Sequence, residues 1–270
     1  MEFVRLTPDN IGLGNCCPGG LEVRDKKFIA DLQKVLDWRR RQVELGLTGF
    51  LVHDGDVVRG FIEYMPEHTA PVPVIAPGAA VLICYHWEPP TGDPHGPEHL
   101  KGERKLLQKA LDDAREAGYG GMVTLAWDIP IHYPASEFEE LGFRRITTKG
   151  QLALMWYPFV DGVAQPRMAE RRLEPASLSG EGRIAIEIGY SSRCPYSLES
   201  LARLERTISE LPERDLVVIR KHLIDTREQA LATLTDCWNW EWSFVNGKET
   251  FLFGQKADEV RRLIRDELTQ

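Results

Sequence analysis

The sequence predicts a mixed α/β chain in two parts: a mixed sheet flanked by helices over residues 1–160, and a smaller α/β domain over residues 183–270. Three observations predict it. Apolar runs of strand length alternate along the chain with stretches of three- and four-residue apolar spacing. Over residues 161–182, Gly162, Pro166, Pro175, Ser177, Ser179, Gly180 and Gly182 interrupt any periodic pattern and read as a linker. Just beyond, the apolar run Ile184, Ala185, Ile186, Glu187, Ile188 is followed by Cys194, placed where the next helix begins.

The elements follow in order. Residues 3–6 form a short strand, and residues 27–44 a helix with Phe28, Leu32, Val35, Leu36 and Val43 on its apolar face. Residues 49–54 and 57–65 are strands joined at Asp54-Gly55, a turn dipeptide. Residues 79–86 are almost all apolar, as in a central strand buried on both faces. A Pro- and Gly-rich loop leads to a helix over 104–117 that turns Leu107, Ala110, Leu111 and Ala114 to the sheet. Residues 121–127 are a strand, 135–141 a short helix ending at Gly142, and 145–159 the closing strand or hairpin. In the second part, Leu216 to Ile219 read as a strand and Arg227 to Leu234 as a short helix. Asn246-Gly247 between apolar flanks is a strong hairpin signal, and Val260, Leu263, Ile264 and Leu268 mark one face of a last helix.

Composition narrows the function. With 43% hydrophobic and 27% charged residues, the chain reads as a globular protein with adequate cores. A net charge of −8 argues against nucleic acid or an anionic membrane as the main partner. The short basic runs Arg39-Arg40-Arg41 and Arg171-Arg172 read as solvated faces. No apolar run is long enough to span a bilayer, and the first residues lack a signal-peptide core. Five irregularly spaced cysteines do not make a disulfide framework, so a reducing cytoplasm is expected.

Cys194 is the best candidate for thiol chemistry. Pro195 suits a first helical position, and Leu198, Leu201, Leu204 and Ile208 continue the helix. The thiol then faces helix N–H groups with Arg193 beside it, and both favour the thiolate. The turn Cys194, Pro195, Tyr196, Ser197 resembles the single-cysteine glutaredoxin form of the thioredoxin-like active site. The order strand, helix, strand, helix, hairpin, helix is similar to that family. Ser197 replaces the second cysteine, and no proline precedes the hairpin between Cys237 and Ser243. The tryptophans Trp238, Trp240 and Trp242 alternate as on a strand face near this turn.

The N-terminal elements resemble the GCN5-related N-acetyltransferase (GNAT) family. They share its order, with the phrase Phe138, Glu139, Glu140, Leu141, Gly142, Phe143 similar to its "Tyr-x-x-x-Gly-Phe" ending. With Leu6-Thr7, Asn10-Ile11, Cys16-Cys17 and Phe61-Ile62-Glu63-Tyr64, the whole chain looks like the YoaP type, which joins such a domain to a thioredoxin-like one. The resemblance implies an acetyl-coenzyme A-dependent N-acyltransferase acting on a small-molecule or peptide amine. A homodimer is admitted, and with no spaced Cys-x-x-Cys pair and no second histidine cluster no metal is expected. It places the cofactor's pantetheine arm along the central strand at Cys84, Tyr85 and His86. Its pyrophosphate is expected on a loop and helix start carrying Lys101, Gly102, Arg104 and Lys105. Two departures stand out: only Gly102 of the loop glycines is present, with Glu103 beside it, and Phe138 cannot protonate a leaving thiolate. Tyr133 or His132 is then the substitute acid, and Glu63, His86 or Glu88 the base. The alternative is a degenerate acyltransferase fold that binds a thiol, metal or metalloid ligand through Cys16, Cys17 and Cys194 and acts as a binding or redox module, with Cys84 in a strand core.

Overall fold

The computed structural model describes residues 2–13, 26–87, 97–128, 134–237, 241–252 and 255–269. The chain divides into two compact units. One holds Met1–Arg24, Leu36–Ala70 and Val74–Met168; the other holds Asp25–Val35, Pro71–Pro73 and Ala169–Gln270.

The elements of the first unit are β1 (Glu2–Arg5), α1 (Lys26–Glu44, from Leu36 onward), β2 (Thr48–Asp54), β3 (Val57–Pro66), β4 (Val74–Ile75), β5 (Ala80–Trp87), α2 (Pro97–Glu116), β6 (Gly121–Trp127), α3 (Ala135–Glu140), β7 (Arg144–Lys149), β8 (Leu152–Pro158) and β9 (Arg167–Met168). Seven strands form one sheet in the order β1-β2-β3-β5-β6-β8-β7, and β4 pairs with β9 apart from it. Among the described residues of the large sheet only β5 and β6 are parallel. The near-continuous apolar run thus becomes the fourth strand of seven, as its composition requires.

Alternation along β3 sorts its side chains by face. Ile62 and Tyr64 join Leu82, Tyr85 and Trp87 of β5 in a core closed by Leu106, Leu107, Ala110, Leu111 and Ala114 of α2. Phe61 and Glu63 point to the opposite face, where Arg39 of α1 reaches both. Asp113, in the last turn of α2, accepts from the Tyr64 hydroxyl and pairs with Arg5. Gly142, at φ 94°, supplies the left-handed residue that ends α3.

The helix expected over 104–117 begins earlier, at Pro97. Proline suits a helix start because its missing N–H has no partner to lose there. The first turns carry His99, Gly102 and Glu103 toward the protein rather than a hydrophobic stripe, so apolar periodicity does not reveal them.

The second unit contains β10 (Ile184–Tyr190), α4 (Pro195–Ser209), β11 (Val217–Leu223), α5 (Arg227–Ala232), β12 (Ser243–Val245), β13 (Lys248–Glu249) and α6 (Ala257–Leu268). Its sheet runs β11-β10-β12-β13, with β10 and β11 parallel and the other pairs antiparallel. Asn246 (φ 47°) and Gly247 (φ 79°) make the tight turn between β12 and β13. Ile184, Ile186 and Ile188 pack with Leu201, Leu204 and Ile208 of α4 and with Val260 and Ile264 of α6.

The stretch read as a linker is bonded into the structure. Arg167 and Met168 pair with β4. Within the second unit, Arg172 and Leu173 donate to the Leu234 carbonyl, and Leu178 donates to Asn246 Oδ1 at 3.1 Å. Among the described residues, no helix is long and apolar enough to cross a membrane.

Candidate active site

The central feature of the first unit is an opening in its sheet. β5 and β6 pair only at Ala80–Met122 and Val81–Val123. Past those residues the two strands part, although β5 stays paired with β3 to Trp87 and β6 stays paired with β8 to its end. A register shift at Glu63/Tyr64 lies opposite residues 82–84, so β5 carries one extra residue where the strands separate. Such a bulge sharpens local twist, which turns the strand away from its parallel neighbour. Half of the backbone N–H and C=O groups of residues 82–87 then face the gap rather than a paired strand. Ile83 and Cys84, expected in a strand core, are half-buried here because the neighbour has left them. On the far wall, Pro134 bridges to Trp127 at the end of β6.

The predicted site residues distribute around this opening. Cys84, Tyr85 and His86 lie on the parted half of β5. Tyr85 is buried, meeting Phe138 edge-on at a centroid separation of 6.1 Å. Burial, reinforced by Glu103 and Glu137, pushes its phenol well above the usual range, so it stays protonated. Phe138 lies in the core between Tyr85 and Phe143.

Glu63 stands opposite Cys84 in the β3–β5 register. It does not face water: it is 2% exposed and pairs with Arg39 Nε at 2.9 Å, whose guanidinium also lies over the Phe61 ring. Arg39 is equally buried, so the basic run of α1 is not a uniformly solvated face. Burial raises the Glu63 carboxyl above the usual carboxylate range, against the lowering effect of Arg39.

Lys101, Gly102, Arg104 and Lys105 lie within α2, not on a loop before it. From Lys101 onward the backbone N–H groups are committed to helix bonds, so the amides without an intrahelical partner lie in the first turn, which begins at Pro97. Gly102 is needed where two elements approach closely. A Cβ there would stand 1.9 Å from Trp87 Cδ1, so the glycine lets α2 lie directly on the end of β5. Lys101 and Lys105 are exposed and, with Leu100, Arg104 and Gln108, line a groove of ≈ 490 Å³. Arg104 also bonds Glu137 (Nε to Oε2, 2.9 Å) and Glu140, which neutralises much of its charge. Tyr133, with His132, Glu88, Cys16, Cys17, Trp238 and Trp240, lies outside the described residues.

In the second unit, Cys194 is the N-cap residue of α4, with Pro195 following, and it is half-buried. Ser197, where a second cysteine would stand, is fully buried and accepts from the Ser191 N–H at 3.1 Å. Asp225 accepts from the Ser191 hydroxyl (3.1 Å) and the Ser192 N–H (2.7 Å), tying the turn to the end of β11. Glu241, which the sequence did not single out, closes the network. Burial pushes its carboxyl up to about 7, while the Ser197 hydroxyl and Arg193 pull it down. Trp242 packs in a small cluster with Ile224, Ala230 and Phe244.

No family model matches the chain. The chain is similar to the uncharacterized N-acetyltransferase YoaP of Bacillus subtilis, 25% identical over 236 residues, which cover 85% of each protein. Among solved structures, it is similar to a GNAT family acetyltransferase of Brucella melitensis in complex with acetyl-CoA. There the TM-score is 0.40 and the identity 17%, over 63% of this chain and 95% of the other. A second similar structure is the PaiA N-acetyltransferase of Thermoplasma acidophilum in complex with coenzyme A. Its TM-score is 0.38 and its identity 16%, over 59% of this chain and 100% of the other.

Proposed function

We propose that the first unit is an acetyl-coenzyme A-dependent N-acyltransferase acting on a small amine-bearing acceptor. The observation that carries this reading is the parting of β5 and β6 after Val81 and Val123, in the middle of the large sheet. An extended amide-bearing arm such as pantetheine fits there as a substitute strand, bonding the open backbone edge beside Cys84, Tyr85 and His86. The same edge offers N–H groups to the oxyanion formed when an amine attacks the thioester. The first turn of α2 takes the pyrophosphate, and Lys101 and Lys105 supply the positive field that Arg104, engaged by Glu137 and Glu140, supplies only in part. Glu63 is the base for the acceptor ammonium, its carboxyl raised by burial and oriented by Arg39.

For the second unit we propose a thioredoxin-like domain. The strand order β11-β10-β12-β13 and the cysteine-proline start of α4 support it. Cys194 is its reacting group, and with Ser197 in the second position its oxidised partner must come from elsewhere.

Calorimetric titration of the full chain with acetyl-coenzyme A tests the cofactor assignment. Saturable binding is expected, weakened roughly tenfold or more by the double reversal Lys101→Glu with Lys105→Glu. Absence of binding at millimolar cofactor would remove the acyltransferase reading.

A further inference from the structure

We propose that His86, His99 and Glu103 form a binding site for a divalent transition-metal ion of the zinc class. The three side chains come from two elements, the end of β5 and the first two turns of α2. One ligand atom from each lies within 4.8 Å of the other two. His99 Nε2 and Glu103 Oε1 are 3.2 Å apart. Two ligands of one tetrahedral zinc, each about 2.0–2.1 Å from it, stand ~3.3 Å apart, so this edge already has a coordination spacing. The imidazole centroids of His86 and His99 are 5.6 Å apart, which brings the third ligand within a side-chain adjustment of the same point.

Burial distinguishes this group from a surface cluster. His86 is 5% exposed, His99 8% and Glu103 6%. Two imidazoles and a carboxylate in a water-poor place fit a borderline ion; magnesium and calcium prefer all-oxygen sets. The helix contributes His99 and Glu103 four residues apart, hence on one face. Gly102, between them in sequence, gives the close approach to Trp87 that brings this face to His86. A bound ion would fasten the start of α2 to the end of β5, and its fourth position is left to water. The sequence expectation of no metal rested on the lack of a cysteine pair or histidine cluster. The site is assembled instead from residues 13 and 17 positions beyond His86. It shares His86 and the start of α2 with the proposed cofactor site, and metal uptake reads it apart from acetyl-coenzyme A binding.

The test is uptake of Co2+, then Zn2+, by the full chain after treatment with a chelator. Cobalt is the probe because its visible spectrum separates imidazole–carboxylate sites from thiolate sites, and this chain has five cysteines. One equivalent is expected, with ligand-field bands of low coordination number and no strong thiolate charge-transfer band. Glu103→Gln, which changes a single atom, should weaken binding by more than the roughly 10–100-fold that loss of an outer supporting residue costs. His99→Gln should do the same, and Zn2+ should raise the melting temperature of the native chain but not of Glu103→Gln. No uptake by the native chain, a thiolate-dominated spectrum, or equal affinity in Glu103→Gln would each overturn the proposal.

Discussion

Arg39→Met is expected to destabilise the chain by about 3–5 kcal/mol, because it leaves the Glu63 carboxylate buried without its counter-charge. The neighbouring Arg40→Met should cost no more than about 0.5 kcal/mol, since that side chain is 49% exposed and pairs only at the surface with Asp37. The contrast is the useful part, because the two arginines are adjacent in sequence and chemically identical. Adding Glu63→Gln to Arg39→Met should recover most of the loss, as removal of both partners leaves no orphaned charge. The orphaned Glu63 can also escape by taking up a proton. The defect of the single variant should therefore shrink in acid and be largest at alkaline pH. Urea unfolding of the four chains at two pH values reads all of these outcomes; equal effects at positions 39 and 40 would contradict the buried pair.

Glu241→Gln is expected to stabilise the protein at pH 8 and to leave it nearly unchanged at pH 4. In the folded chain this carboxyl titrates at about 7, above its unfolded value of 4.5. The folded state thus holds an extra proton between those values, so stability falls as pH rises through that window. At about 1.36 kcal/mol per pH unit, the full cost of ionising Glu241 approaches about 3 kcal/mol above neutrality. Glutamine keeps an acceptor for the Ser197 hydroxyl and carries no charge. The difference in unfolding free energy between variant and native chains should grow across this window; a difference constant with pH would mean Glu241 is ionised throughout.

Both predictions concern groups that the sequence shows only as letters in a charged or polar run. The element order of the first unit was legible because its strands and helices carry apolar periodicities of their own. The turns Asp54-Gly55 and Asn246-Gly247 were legible because few dipeptides tolerate such backbone angles. The start of α2 was not, because its first turns face the protein with His99, Gly102 and Glu103 in place of an apolar stripe. For the same reason the close packing of Gly102 on the Trp87 ring was not legible.

Arg39 and Glu63 are far apart in sequence, and only a tertiary contact between α1 and β3 turns them into a buried pair. Glu241 reaches Ser197 in the same way. The spacing of His99 and Glu103 was a usable local signal, since residues four apart share a helix face, but it needed the helix to begin at Pro97. Cys194, by contrast, is where a strand, a cysteine and a proline in succession put it, at the N-cap of α4.

The central claim is that the gap between β5 and β6 receives the acyl carrier. Amide hydrogen exchange at residues 82–87, with and without saturating acetyl-coenzyme A, tests it most directly. Without cofactor, the amides that face the gap should exchange faster than those paired to β3, because no strand covers them. With cofactor, the gap-facing amides should slow by about tenfold or more, while the outer strands β1 and β2 stay unchanged. Unaltered exchange along residues 82–87 under conditions where acetyl-coenzyme A demonstrably binds would place the cofactor elsewhere and contradict the account.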